Sequence, residues 1–252
     1  MRTLGTAIVL VMLGGIGNQQ PTPQVYRATF DYYFLTLRGD ITHRQQLSGT
    51  YTRDRRKKTA TWTDVTAANA DGTEAWEPAE KRAFMEGFTY PLKPENMTTD
   101  AFFHGIPLTA MQERNLVFDT RMLEIFGEDE FDHLQPNTPY HFLRNSDVPM
   151  AGAGTFSNKD AILTLTGKTV RGGTNCAVVD YVALFNTFEL TLPNFAMRGR
   201  SNYWGQVWIS LKDKQIEHAT LYEDVLGDVT EKDGQSPTNV FRIGTLDRVG
   251  RH

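Results

Sequence analysis

Between Thr174 and Leu190 the chain reads TNCAVVDYVALFNTFEL, and both of its alternating sides are apolar. Successive side chains of a strand point to opposite faces. One face therefore carries Cys176, Val178, Asp180, Val182, Leu184, Asn186 and Phe188. The other carries Ala177, Val179, Tyr181, Ala183, Phe185 and Thr187. An antiparallel strand with one side in water shows a clean polar face instead. The next segment repeats the pattern, with Tyr203, Val207, Ile209 and Leu211 on one side and Trp204 and Trp208 on the other. Its neighbour adds His218 and Tyr222. Such a sheet is expected to be covered on both faces.

Strand signals dominate both ends of the chain. Val25 to Arg38 is dense in aromatic and β-branched residues, Ile41 to Thr52 alternates weakly, and Thr59 to Val65 follows the basic run Arg53 to Lys58. These segments predict a three-strand meander with a charged hairpin tip. Trp76 and the stretch from Phe84 to Tyr90 suggest short strands before Pro91 and Pro94. Toward the C-terminus, strands are expected at 155–166, 174–190, 201–211, 215–226 and 239–249, joined by short polar turns. The middle differs. Phe118, Met122, Ile125 and Phe126 recur at spacings of three and four, which suits an amphipathic helix. Glu128-Asp129-Glu130 then opens a second short helix, with acids where the helix dipole favours them. The expected fold is α+β and mainly β: a curved, half-barrel-like antiparallel sheet with a helical insertion at about 98–135. Without a repeat or a Pro/Gly/Ser-rich linker, residues 18–252 read as a single domain.

The apolar run from Thr6 to Leu13 follows Arg2 and precedes the small residues Gly15 and Gly17. That arrangement predicts a signal peptide over residues 1–17 and an exported protein, periplasmic or extracellular. The run is shorter than the roughly 20 residues a bilayer requires, and the mature chain has no transmembrane stretch. A lone Cys176 excludes an intramolecular disulfide. With 26 Lys+Arg against 30 Asp+Glu, the formal charge of −4 gives no field for nucleic acid. The local cluster Arg53, Arg55, Arg56, Lys57 and Lys58 is the exception. It reads as a solvated tip that discourages edge pairing, or as a contact for an anionic surface.

The helical section is the natural cover for the sheet. A close-packed interface is the plain reading of that arrangement, and a hydrophobic cavity bearing a few polar groups is the sharper one. Residues 155–190 and 199–226, taken with the export signal and the central helices, resemble the LolA-like lipoprotein carriers of the bacterial envelope. That resemblance implies a half-barrel closed by helices and binding of acyl chains. This chain departs from it by opening with a strand at Val25. The ligand-facing candidates are Tyr181, Phe185, Trp204, Trp208, His218 and Tyr222 from the sheet, with Phe118 and Met122 from the helix.

Catalytic signatures are sparse. Gly-x-Ser-x-Gly, phosphate-loop, His-Glu-x-x-His and paired-cysteine motifs are absent from the sequence. The acids from Glu128 to Asp132, with His133 and His141, match no established metal loop and read as a solvated helix start. Cys176 lies in an apolar strand and reads as a buried thiol. Glu217, Glu223 and Asp224 beside the aromatic row suit a polysaccharide cleft. The leading expectation is a non-enzymatic envelope protein, without a cofactor, that binds a lipid or another amphiphile between sheet and helices. The alternatives are a hydrolase of an envelope or extracellular polysaccharide, and a structural or interaction module.

Overall fold

In the computed structural model, which describes residues 23–232 and 234–250, the two expected meanders join into one sheet. The signal segment expected over residues 1–17 lies outside the described residues. The first meander is β1 (Gln24–Leu35), β2 (Ile41–Asp54) and β3 (Thr59–Asp71), with β4 (Glu80–Lys81) and β5 (Phe88–Pro91) both pairing with β3. The second is β6 (Tyr140–Pro149), β7 (Gly154–Arg171), β8 (Thr174–Leu192), β9 (Phe195–Ser210), β10 (Ile216–Glu231) and β11 (Gly234–Val249). The order is β4-β3-β2-β1-β11-β10-β9-β8-β7-β6, so the first strand closes against the last. Eleven strands, antiparallel throughout, form an open curved sheet, and the fold is α+β, mainly β. The single α-helix among the described residues, α1 (Met111–Glu124), runs on into a π-helical turn at Ile125–Asp129.

The strands run longer than local patterning indicates. Residues 191–200 and 227–238 read as loops in sequence, yet they extend β8–β9 and β10–β11 almost to two-residue tips. β6 gave no strand signal at all; it pairs along the β7 edge with one register shift, between His141 and Leu143. The expected second helix after Glu128 is only the π-helical turn and a 3₁₀ turn at Phe131–His133.

Inner and outer faces follow from the register. The inner face carries Tyr26, Ala28 and Phe30 of β1, Leu47 and Tyr51 of β2, Val179 and Tyr181 of β8, and Val207 and Ile209 of β9. All of these are buried. Curvature brings inner side chains together, and glycine provides the room. A Cβ at Gly244 would sit 2.5 Å from the Phe30 ring, and one at Gly205 would sit 2.6 Å from the Tyr181 hydroxyl. Those two aromatic side chains lie over the bare backbone of a neighbouring strand, and a methyl group would expel them.

The alternation read from Cys176 onward breaks inside β8. The register shifts between Ala183 and Asn186, so Asn186, Phe188 and Leu190 continue the inner face begun by Ala183. Leu184 and Phe185 are thrown outward. Tyr181 and Phe185 thus occupy opposite faces, contrary to the simple period of two.

The expected cover on both faces is also corrected. The helix packs on the inner face, while Phe185 on the outer face is 69% exposed and Trp204 is 37% exposed. Among the described residues no second layer lies over the outer face. That face manages water through a polar row of cross-strand partners: Asp180, Gln206, Thr220, Thr245, Thr29, Ser48 and Thr66. Aromatic pairs flank the row, with Trp204 stacked on Tyr222 and Trp208 edge-on to His218. These partners shield one another from solvent without a covering layer.

Candidate functional site

Helix α1 is set in the sheet with its charged side chains turned inward. Glu113, Arg114, Asp119, Arg121 and Glu124 are all buried. Charges in such a place require partners, and each has one. Arg242 of β11 donates from Nη2 to Asp119 and from Nη1 to Glu223 of β10, whose other oxygen accepts from the Ser201 hydroxyl. Arg53 of β2 lies 2.7 Å from Glu124 through Nε and 2.6 Å from Glu128 through Nη1. The Tyr51 hydroxyl donates to Glu124 at 2.8 Å. Arg121 bridges Glu124 and Asp129. Arg82 reaches Glu113 at 2.9 Å, and Arg114 donates to the carbonyls of Ile106 and Ala151.

Electrostatics within this layer follow from burial. Loss of water pushes the Asp119 carboxyl up to about 6, against the pull of Arg242. Burial likewise raises Glu124, and Arg53 opposes the rise. Tyr51, beside Glu124, is held well above the usual phenol range by burial and by that carboxylate. Arg53 therefore does not belong to the solvated hairpin tip expected from sequence. It is buried beneath the helix, and Arg55 approaches the same Glu128 at 3.6 Å.

With the charges inside, the least buried side of the helix is largely apolar: Asn115 interrupts it, and Met122 and Ile125 also pack against the edge of the core. Met111, Phe118, Met122 and Ile125 stand at spacings of seven, four and three along α1 and its extension, and all four are only partly buried. The spacing of Phe118, Met122, Ile125 and Phe126 suits one side of an amphipathic helix, with Phe118 and Met122 expected to face a ligand. Only Phe126 is fully buried, stacked near Phe142 and Tyr181. The π-helical turn produces that placement: it seats Gly127 against Val207, where a Cβ would come within 2.4 Å. Beyond the helix N-terminus the inner face continues as Leu192, Phe195, Met197 and Val225, half-buried around Phe188 and Leu190. At 1.5 Å per residue, the 14 residues of α1 span about 21 Å. The 19 residues of β8 span about 60 Å. One helix cannot cover the sheet.

The eight candidate residues divide accordingly. Tyr181 is buried in the inner core, with its hydroxyl donating to the Thr220 carbonyl at 2.7 Å. Phe118 and Met122 share the outer stripe of the helix. Phe185, Trp204, Trp208, His218 and Tyr222 lie on the opposite side of the sheet, so the structure does not gather all eight into one cleft. On that outer face His218 is held by Asp247 at 2.7 Å, and Arg171 pairs with the same carboxylate while its guanidinium lies over Trp208. The hydrogen bond from His218 is the main influence holding the Asp247 carboxyl below the usual range.

The acids proposed for polysaccharide cleavage are likewise separated. Glu217 and Glu223 face inward and pair with Arg248 and Arg242, while Asp224 points outward. The acids after Glu128 are dispersed among ion pairs with Arg53, Arg121 and Lys93. Glu130 engages His133 and Tyr140. Among the described residues no three His, Cys, Asp or Glu side chains are grouped to hold a metal. Cys176 is buried, as its apolar strand indicates. No described helix is long and apolar enough to cross a membrane.

No protein-family model matches the chain, and no curated protein does. A solved structure described as "Lipid-protein interactions in lipovitellin" is similar at 14% identity with a TM-score of 0.42, over 90% of this chain and 25% of that one. The chain thus spans about a quarter of its length. Another, described as "Asymmetric conductivity of engineered proteins", shares 11% identity over 90% of this chain and 99% of that one, at a TM-score of 0.17.

Proposed function

We propose that the protein binds an amphiphile along the outer stripe of helix α1, as a non-enzymatic carrier or sensor in an exported compartment. One observation carries this reading: the helix buries its charges and leaves Met111, Phe118, Met122 and Ile125 partly in water. Each of these side chains keeps at most about a third of its surface in water, so covering the remainder is worth about 0.5–1 kcal/mol apiece. The half-buried residues around Phe188 and Leu190 extend the apolar surface beyond the helix N-terminus, toward the length of an acyl chain. The interior between sheet and helix is filled by side chains such as Leu116, Leu123 and Phe126, so the ligand lies on the helix rather than beneath it.

The test is titration of a fluorescent C18 fatty acid into the wild type and the Phe118→Glu/Met122→Glu variant. The expected result is saturable binding to the wild type that is weakened at least about tenfold in the variant, a difference of about 1.4 kcal/mol. Circular dichroism should show an unchanged fold, because neither side chain is fully buried. Equal binding by both proteins, or none by the wild type, removes the proposal.

A further inference from the structure

On the outer face, away from the helix, three neighbouring strands are irregular at the same level. Asn145 of β6 and Phe185 of β8 both have positive φ, +47° and +61°, and β7 carries Asn158 and Lys159 between them. For a bulky residue such as Phe, this left-handed backbone is a costly choice. It is nevertheless firmly held. The buried Asn186 side chain donates to the carbonyls of Ala183 and Ser201, each at 3.1 Å, and accepts from the Lys159 amide at 3.0 Å. The Phe185 amide donates to Asn202 at 2.7 Å. This frame lifts the Phe185 ring out of the sheet to 69% exposure, where it contributes little to the core.

The ring lines a cavity of about 570 Å³ shared with Asn145, Asp147, Asn158, Lys159 and Arg200. Lys159 and Arg200 form no ion pair among the described residues. The single carboxylate, Asp147, accepts from the Ser157 hydroxyl at 2.6 Å. Asn158 is buried, its carboxamide oxygen fixed by the Tyr203 hydroxyl at 3.0 Å. The notch thus holds two cations, one satisfied acid, the Asn145 carboxamide and one displayed aromatic face, with Asn158 supporting it from within, on a chain of net charge −4.

We propose that this notch binds a small acidic saccharide. Its carboxylate or phosphate sits between Lys159 and Arg200, its hydroxyls meet the carboxamide of Asn145, and its C–H face lies on Phe185. Strain held at an exposed aromatic is accounted for by this role, since the ring packs against a ligand rather than against the protein. The site is separate from the helix stripe, and either can fail without the other.

The experiment is calorimetric titration, at low ionic strength, of the full chain with digalacturonate, lactose and phenyl phosphate. Digalacturonate should bind saturably, and lactose and phenyl phosphate at least about tenfold more weakly. Phe185→Gly and Arg200→Met should each weaken digalacturonate binding by a similar factor. Phe185→Gly should at the same time raise the melting temperature, because glycine accepts the positive φ without strain. Absent binding, equal binding of lactose, or phenyl phosphate binding as tightly as digalacturonate each overturns the assignment. A lowered melting temperature for Phe185→Gly does so as well, since it would make the ring structural.

Discussion

Replacing Arg242 with Met tests the buried electrostatics most directly. The guanidinium serves Asp119 and Glu223 together and stacks over the Tyr32 ring at 5.1 Å from its centroid. Met preserves much of the volume and removes the one cation that pairs with either carboxylate among the described residues. Breaking a buried ion pair from one side costs about 3–5 kcal/mol, because the remaining charge stays uncompensated. The loss should depend on pH in a definite direction. Asp119 titrates near 6 in the folded protein and near its ordinary value of 3.8 when unfolded. The folded state therefore binds the extra proton between those values. This contribution to stability is full below about 4 and is lost as pH rises through about 6. Without Arg242 the folded carboxyl rises further, and the window extends upward. Each additional unit adds about 1.4 kcal/mol to the penalty at pH 8 relative to pH 5. Urea unfolding of both proteins at the two pH values reads the difference. A penalty under about 1 kcal/mol at pH 8, or the same penalty at pH 5, would refute the reasoning. Adding Asp119→Asn to the variant should recover part of the loss at pH 8, because it removes a charge that no longer has a partner.

Three further substitutions probe the faces and the curvature. Trp62→Ala, at a fully buried ring packed on Tyr51 at 4.9 Å, should cost about 3–5 kcal/mol. Trp204→Ala on the outer face should cost less than half as much in the same urea titration, and similar losses would mean that something covers the outer face. Gly244→Ala forces a methyl into the Phe30 ring and should lower stability by about 1–3 kcal/mol in a thermal melt. Adding Phe30→Leu should return part of it, whereas an unchanged melt for the single variant would show that the ring moves freely.

The sheet was legible in sequence because alternation and turn chemistry are local. Val25 to Arg38 and Thr174 to Leu190 show the β-branched and aromatic density of strands, and both are strands. The long hairpin ends were not legible, since Gly199, Gly227 and Pro237 are turn formers that pairing overrides. Face assignment failed at Ala183–Asn186. A bulge adds a residue without any mark in the pattern, and only the Asn pair, Asn186 and Asn202, hints at the polar side chains that hold it. The rotation of helix α1 was misread for a different reason. Apolar spacing marked Phe118, Met122 and Ile125 as one side of the helix, but the space between sheet and helix that Phe118 and Met122 were expected to line is filled by Leu116 and Leu123. Glu113, Asp119, Arg121 and Glu124 lie along the remaining sides and are buried. Their partners, Arg53, Arg82 and Arg242, are far away in sequence. No local pattern announces a salt bridge between residues 119 and 242.

These distant pairings account for the setting of the helix. A purely apolar contact between a helix and a curved sheet tolerates rotation and sliding, because dispersion forces have little direction. Charged hydrogen bonds do not tolerate it. Turning α1 to bury Phe118 and Met122 would draw Asp119 away from Arg242 and Glu124 away from Arg53 and Tyr51 together, and every abandoned partner is itself buried. The desolvation cost of several such charges exceeds the gain from covering the exposed remainder of two apolar side chains, which is about 1–2 kcal/mol in all. The apolar stripe is thus kept outward by the polar layer beneath it. A surface held open in this way is available to a partner, and its exposure is a property of Arg53, Arg82 and Arg242 as much as of the residues it displays.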